Sequence, residues 1–222
     1  MGRSKLDKFR DNARRINVIE PGKPVFESIK GNWQSGYFMN SNPVILELAC
    51  GKGDYAIGLA RLYPGNNYVG VDIKGSRIWT GSSIADSEGL KNVAFLRTHI
   101  LKLEEFFRTN EVDAIWITFP DPRPRESDTR KRLTSPRFLK IYRNILKPGG
   151  WVYLKTDSDS LYRYSLETLS TFEGVEGLLY TEDLYNSDLK DDHLGLKTNY
   201  EIRFLEEGIK IKYLKFRYNK QI

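Results

Sequence analysis

The stretch "VILELACGKGDYA", residues 44–56, decides the fold class. It opens with a nearly continuous apolar run, residues 44–49, which has the length of a buried strand. Gly51 and Gly53 follow, and glycine lets a backbone turn tightly because it has no Cβ. Helix-length sequence then begins at about Tyr55. The stretch therefore predicts a buried strand that leads through a glycine turn into a helix.

The same alternation continues along the chain. Short apolar runs rich in β-formers alternate with helix-length segments from residue 43 onward, which indicates a parallel sheet covered by helices on both faces. We predict strands at residues 44–49, 67–73, 93–98, 113–119 and 151–157. We predict helices at residues 55–63, 76–88, 101–107, 136–146 and 160–172. The fold class is therefore α/β, with a doubly wound, mostly parallel, Rossmann-like sheet.

The two ends of the chain follow different patterns. Residues 209–216, "IKIKYLKF", alternate apolar and basic side chains, which predicts a strand with one solvated face. No helix-length crossover separates this strand from "TNYEIRF", residues 198–204, so we predict an antiparallel C-terminal hairpin at the sheet edge. Residues 1–30 are predicted as a basic N-terminal arm, of which residues 2–15 form an arm or short helix outside the core, and residues 31–222 as a single domain. Near its start the arm carries Asp7 and Asp11 against the bases Arg3, Lys5, Lys8, Arg10, Arg14 and Arg15.

Composition excludes several classes of protein. The chain has 35 Lys and Arg against 29 Asp and Glu, and the resulting charge of +6 permits a nucleic-acid partner without requiring one. Cys50 is the single cysteine and there are two histidines, so we expect neither an internal disulfide nor a metal site. No apolar run approaches the ~18 residues of a membrane helix, and the charged first residues lack a secretory signal. We expect a cytoplasmic protein without membrane contact; monomer and homodimer both stay open.

The glycine turn predicts a ligand site. In an open α/β sheet the ligand lies beyond the carboxyl ends of the strands, where Asp72 ends the second predicted strand and can accept hydrogen bonds from both hydroxyls of a ribose. Glu47 disfavours a pyrophosphate nearby and favours an ammonium or sulfonium group. S-adenosylmethionine carries both cations. "GKGDYA" also satisfies the dinucleotide pattern G-x-G-x-x-A, so a nicotinamide or flavin oxidoreductase remains an alternative.

A proline-rich loop, "FPDPRPRESDTRKRL", follows the predicted strand at residues 113–119. Its three prolines stand at every second position and hold the chain extended around Asp121. Two interpretations are open for its bases, which either face the phosphates of an RNA or belong to a solvated loop balanced by Glu126 and Asp128. These bases are Arg123, Arg125, Arg130, Lys131 and Arg132.

Three ordered motifs together resemble one family. The glycine loop, the proline loop, and "TD" at residues 156–157 with "TNYE" at residues 198–201 are similar to those of the tRNA (guanine-N7-)-methyltransferases. "KGNW" at residues 30–33, "DSEGLKN" at 86–92 and "NSDL" at 186–189 also match, so the resemblance covers roughly residues 30–216. It implies S-adenosylmethionine as methyl donor and tRNA as substrate, with the methylated guanine in the variable loop.

The resemblance also implies residue roles. It assigns the cofactor to Glu47, Gly51, Gly53, Asp72, His99 and Asp121, the last of which is also the catalytic residue. It assigns the target guanine to Arg125, Asp157, Thr198 and Glu201. Asp157 and Glu201 would accept the ring N1–H and the exocyclic amino protons of that guanine.

The chain departs from the family pattern at four positions. Ala49 stands where the family has the first glycine of the loop, and His99 where it has an aspartate for the adenine amino group. A neutral imidazole nitrogen can still accept that hydrogen bond. Arg123 replaces a tryptophan, and Arg125 replaces a lysine, which keeps the charge but changes its shape.

The implied chemistry needs no general base. The N7 atom of guanine has an in-plane lone pair and no proton, so the methyl group can transfer by direct in-line displacement. Positive charge then develops on the guanine, where a carboxylate such as that of Asp121 would stabilise it. Besides the oxidoreductase, two alternatives remain: a non-catalytic RNA-binding relative, and a methyltransferase that acts on another substrate.

Overall fold

The computed structural model describes residues 4–219, which form an eight-stranded sheet in the order β1-β4-β3-β2-β5-β6-β8-β7. The strands are β1 Val18–Ile19, β2 Val44–Leu48, β3 Asn67–Asp72, β4 Val93–Arg97, β5 Val112–Thr118, β6 Leu146–Thr156, β7 Val175–Thr181 and β8 Lys212–Tyr218. The helices are α1 Lys5–Arg14, α2 Pro24–Ser28, α3 Asp54–Leu62, α4 Gly75–Ser87, α5 Leu103–Phe106, α6 Pro136–Ile145, α7 Asp159–Thr171 and α8 Asn199–Glu206.

The sheet is mostly parallel and its core lies on both faces. Strands β1 to β6 pair in parallel, whereas β8 pairs antiparallel with both β6 and β7. Every residue of β3 is buried, as expected for a central strand covered on two sides. One apolar cluster includes Phe138 and Tyr142 of α6, and a second includes Tyr55 and Ile57 of α3. The predicted fold class is therefore confirmed.

The C-terminal strand is antiparallel as predicted, but its predicted partner was wrong. Residues 199–206 form α8, because the Thr198 side chain accepts from the Glu201 N–H while the Glu201 side chain accepts from the Thr198 N–H. This capping box starts a helix where the sequence suggested a strand. The neighbours of β8 are β6 and the unpredicted β7, so β8 lies inside the sheet and β7 at its edge.

The N-terminal segment packs against the domain. Helix α1 lies on α4, where the Trp79 indole N–H donates to Asp11 over 2.9 Å and the Lys8 ammonium lies 4.9 Å from the Trp79 ring centre. Val18 and Ile19 are fully buried, and β1 pairs with β4. The sheet thus extends into the segment predicted as a basic arm, and the division of the chain at residue 30 stays a prediction. Arg3 lies outside the described residues.

None of the helices within residues 4–219 combines the length and the apolar character needed to cross a membrane.

Candidate active site

The carboxyl ends of the parallel strands meet at one edge of the sheet. Strands β2, β3, β4, β5 and β6 all point there, so the loops that follow them lie side by side. A cavity of about 310 Å³ opens at this edge. Its walls include Glu47 and Gly51 from β2 and the loop after it, Thr118 and Phe119 at the end of β5, and residues 198–200 at the start of α8. The cavity therefore lies where the order of the strands reverses, between β2 and β5.

The glycine loop has three left-handed residues. Ala49, Gly51 and Gly53 have φ values of 55°, 57° and 74°. A Cβ on Gly53 would stand 2.5 Å from the Phe95 ring, whereas a Cβ on Gly51 would meet no atom within 4 Å. Gly53 is thus needed for packing, and Gly51 faces open space that a ligand can use. Ala49 holds a conformation that L side chains disfavour, which explains the glycine that the resemblance places there.

Glu47 presents a buried carboxyl group to the cavity. One oxygen accepts from the Ala56 N–H over 2.8 Å, and the other accepts from the Thr118 hydroxyl over 3.1 Å. Burial disfavours the charged form and raises the pKa of Glu47 to about 8. This pKa favours the protonated carboxyl group at neutral pH, and a cation that enters the cavity would favour release of the proton.

Asp72 holds the glycine loop against the end of β3. Its Oδ2 accepts from the Gly51 N–H over 2.9 Å, and its Oδ1 accepts from the Lys74 N–H over 2.8 Å. Each carboxylate oxygen has a further lone pair, so Asp72 can still accept from ribose hydroxyls. The Thr98 N–H donates to the Asp72 carbonyl over 3.2 Å, which places the next residue, His99, beside the end of β3. The His99 side chain is exposed there.

The proline loop presents Asp121 to solvent. The Phe119 N–H donates to the Lys155 carbonyl over 2.9 Å, which extends the pairing of β5 with β6 up to the loop. The Asp121 side chain is 60% exposed, and Arg123 contacts both of its oxygens through its N–H at 3.2 Å and its Nε at 3.1 Å. Asp72, His99 and Asp121 lie at the same edge of the sheet but outside the walls of the 310 Å³ cavity.

The bases of the proline loop are not all free to face RNA. Arg125 and Arg130 are exposed, and Lys131 pairs with Asp128 over 2.6 Å. Arg132 is only 8% exposed, because its Nε donates to the Arg123 carbonyl over 3.1 Å and its guanidinium lies 4.4 Å from the Tyr164 ring centre. The interpretation of Arg132 as a solvated or RNA-facing base was therefore wrong, since it anchors the loop.

The residues predicted for the guanine fall into two groups. Asp157 is partly buried directly after β6, and its carbonyl accepts from the Lys212 ammonium over 3.0 Å. Thr198 and Glu201 cap α8, and Glu201 is fully buried. Its carboxylate accepts from Lys155 over 2.6 Å and from the Tyr185 hydroxyl over 2.6 Å. In this conformation Glu201 links α8 to β6 through Lys155. Contacts of the guanine with Arg125, Asp157, Thr198 and Glu201 stay predictions.

Within the described chain, no group of three or more His, Cys, Asp or Glu side chains could hold a metal ion.

Comparison with known proteins identifies the family. The family described as "Putative methyltransferase" matches residues 41–214. A tRNA (guanine-N(7)-)-methyltransferase of Cytophaga hutchinsonii is 48% identical over 98% of this chain and 99% of its own length. One of Bacteroides thetaiotaomicron is 46% identical over 98% of this chain and 86% of its own length. The chain belongs to the tRNA (guanine-N7-)-methyltransferase family.

Solved structures agree on the fold. The crystal structure of the 16S rRNA methyltransferase KamB matches with a TM-score of 0.60 and 18% identity, over 90% of this chain and 95% of that chain. The antibiotic-resistance methyltransferase Kmr matches with a TM-score of 0.55 and 17% identity, over 81% and 88%. At these identities the likeness shows the Rossmann-like methyltransferase fold alone. The family model and the relatives, in contrast, confirm the resemblance inferred from the three motifs and favour methyl transfer over the oxidoreductase alternative.

S-adenosylmethionine, the methyl donor of such enzymes, suits the residues at this edge. The cavity volume lies at the lower end of the ~300–1,000 Å³ usual for ligand pockets. The open space at Gly51 admits a ligand close to the backbone, and a cationic group beside Glu47 would favour release of its carboxyl proton to solvent. Glu47, Gly51, Gly53, Asp72, His99 and Asp121 stay the residues predicted to hold it.

The structure adds residues that sequence reasoning left out of the site. Tyr200 is 61% exposed at the start of α8 and lines the cavity together with Arg77 and Arg203. Tyr200 lies within the motif "TNYE" at residues 198–201, whereas no pattern along the chain marks Arg77 and Arg203, because the sheet topology brings α4 and α8 to the glycine loop. Lys155 did have a signal, since it is a charged residue directly after the apolar residues 151–154 of β6, and it proves to be the fully buried partner of Glu201.

Proposed function

We propose that this chain transfers a methyl group from S-adenosylmethionine to N7 of a guanine in tRNA, in the variable loop, in the cytoplasm. The observation that carries the proposal is the cavity at the carboxyl edge of the sheet, where the buried Glu47 carboxyl lies beside the open glycine loop. Relatives 44–48% identical to the chain have the name of that activity.

The donor would be held by groups that match its charges and hydroxyls. Glu47 would bind a cationic group, and the fixed carboxylate of Asp72 would accept from the ribose. His99 would take the adenine amino group through a neutral imidazole nitrogen, in place of the aspartate found in the family. The three side chains lie at or near the carboxyl ends of the neighbouring strands β2, β3 and β4, so one extended ligand could span them.

Bound S-adenosylmethionine would supply a methyl group activated by a positively charged sulfur. The protein would contribute alignment and electrostatics, because N7 needs no proton removed before it attacks. Asp121 extends from a loop that is fixed by prolines and by Arg132. Its carboxylate would stabilise the positive charge that develops on the guanine ring.

The substrate would meet two kinds of group. The exposed guanidinium groups of Arg125 and Arg130 would bind phosphates of the tRNA, and Asp157 would accept protons of the guanine. Thr198 and Glu201 form the capped start of α8, which covers one side of the cavity. A direct contact of Glu201 with the guanine would require that carboxylate to exchange its present partners.

Methyl transfer to tRNA transcripts tests the proposal. The chain is incubated with labelled S-adenosylmethionine and with a tRNA transcript, and methylated positions are located by chain cleavage specific for N7-methylguanine. We expect one label in the variable loop. The matched control replaces guanosine with 7-deazaguanosine, which lacks the N7 nitrogen and should remain unlabelled. No transfer to any tRNA, or equal transfer to the 7-deaza transcript, would contradict the proposal.

A further inference from the structure

We infer that Arg123 masks Asp121 in the absence of RNA and that a tRNA phosphate withdraws it, so that tRNA binding strengthens binding of the sulfonium donor. The inference rests on the proposed function, in which Asp121 lies beside the methyl donor. It assigns a role to the residue that stands where the family has a tryptophan.

The inference rests on the ion pair between Arg123 and Asp121, which are two residues apart in the proline loop. The Arg123 N–H reaches one oxygen of the Asp121 carboxylate and its Nε reaches the other. The carboxylate that is proposed to stabilise positive charge is therefore already paired with a positive charge. A guanidinium at this position opposes a sulfonium nearby, since like charges repel.

Release of Arg123 would not require the loop to move. The Arg123 residue has φ of 49°, and its carbonyl is fixed by the buried Arg132, whose guanidinium lies on the Tyr164 ring. The side chain of Arg123, in contrast, is 42% exposed. Rotation about its side-chain bonds can therefore free Asp121 while the backbone stays in place.

Phosphate is the group suited to withdraw the arginine. Guanidinium binds phosphate through paired hydrogen bonds that match its planar geometry. The ion pair with Asp121 is exposed, and exposed pairs are weak enough for a polyanion to displace. Because coupling between two ligands is reciprocal, tRNA that binds Arg123 raises the affinity for the donor, and the donor raises the affinity for tRNA by the same factor.

The experiment measures the affinity for S-adenosylmethionine with and without saturating tRNA. A 7-deazaguanosine transcript is used so that no methyl group is transferred during the measurement. For the parent chain we expect tRNA to raise the affinity by up to about fivefold, the range set by exposed ion pairs. For Arg123→Gln we expect an affinity for S-adenosylmethionine without tRNA that already equals that of the parent chain with tRNA. Added tRNA should not raise it further.

Two controls separate this effect from a general loss of charge. Arg61→Gln removes a similarly exposed ion pair, Arg61–Glu88 at 2.6 Å. This pair joins the carboxyl-terminal ends of α3 and α4, whereas the glycine loop precedes the start of α3, so the variant should keep the coupling of the parent chain. S-adenosylhomocysteine lacks the sulfonium charge, so its affinity should respond less to tRNA. Thermal unfolding of each variant checks that the fold is retained.

The outcomes are distinct. A parent chain without coupling, or an Arg123→Gln chain with the parent's coupling, overturns the inference while methyl transfer to tRNA can still stand. Failure of the parent chain to bind S-adenosylmethionine overturns both the inference and the proposed function.

Discussion

The Lys155 ammonium and the Glu201 carboxylate lie 2.6 Å apart, and neither side chain is exposed to solvent. The pair joins β6 to the start of α8, and the Tyr185 hydroxyl donates to the same carboxylate. Burial lowers the pKa of Lys155, and the adjacent Glu201 opposes that shift. The wall of the cavity formed by residues 198–200 thus depends on a buried ion pair at the carboxyl edge of the sheet.

Loss of one partner should destabilise the fold strongly. Lys155→Met leaves the Glu201 charge buried without its main partner, and such changes cost about 3–5 kcal/mol. Lys102→Met is the matched control, because its pair with Glu105 is exposed and should contribute about 1 kcal/mol or less. Urea unfolding of both variants measures the free energies. Equal losses in the two variants would show that the buried pair has no special role.

Cofactor binding should release a proton from Glu47. Burial raises the pKa of Glu47 to about 8, and a bound cation would lower it, so binding near pH 7 should shift the carboxyl group from protonated to charged. Affinity should therefore rise with pH by up to about tenfold per unit below pH 8 and level off above it. Titration calorimetry in buffers of different protonation enthalpy counts the protons. Glu47→Gln should bind more weakly and release none; a parent chain that releases none contradicts the assignment.

Asp72 should affect both the ligand and the loop. Asp72→Ala removes the proposed ribose acceptor, worth about 1.5–3 kcal/mol for hydrogen bonds to a charged group, so cofactor affinity should fall at least several-fold. It also leaves the N–H groups of Gly51 and Lys74 without their acceptor, which should lower the free energy of unfolding. Asp72→Asn keeps one acceptor oxygen, so its cofactor affinity and its free energy of unfolding should lie between those of Asp72→Ala and the parent chain. Unchanged cofactor affinity in Asp72→Ala would remove the ribose site from this strand end.

The bases of the proline loop should separate into binding and anchoring residues. Arg125→Gln combined with Arg130→Gln should weaken tRNA binding and flatten its dependence on salt by roughly 0.7–0.9 per lost phosphate contact. Arg132→Gln should instead lower stability, because the Arg123 carbonyl loses its donor. Filter binding across a salt series and urea unfolding, applied to both variants, distinguish these effects. A double variant with the parent's salt slope would show that the exposed bases do not contact RNA.

Sequence patterns predicted the parallel part of the fold because its strands are apolar and its helices are separated by clear turns. They failed at β7, "VEGLLYT", whose pairing with β8 shifts register between Glu176 and Leu179 around Gly177. They also failed at α8, although the spacing of Thr198 and Glu201 is the signature of a capping box. In that segment the apparent alternation of "TNYEIRF" concealed the helix start.

The site was predictable only in part. Motifs indicated which residues gather at the carboxyl edge, since parallel strands bring their ends together. They could not indicate that burial raises the pKa of Glu47, that Arg132 is buried or that Arg123 pairs with Asp121, because each depends on contacts between residues that the sequence does not relate.

In the proposed reaction, the Asp121 carboxylate stabilises the charge that develops on the methylated guanine. The most direct measurement is the single-turnover rate of methyl transfer by Asp121→Asn, with tRNA and S-adenosylmethionine both saturating. Asparagine keeps the size of the side chain but removes its charge, so we predict a fall of ~10²-fold or more, with tRNA affinity little changed. Transfer at the parent's rate would contradict the account.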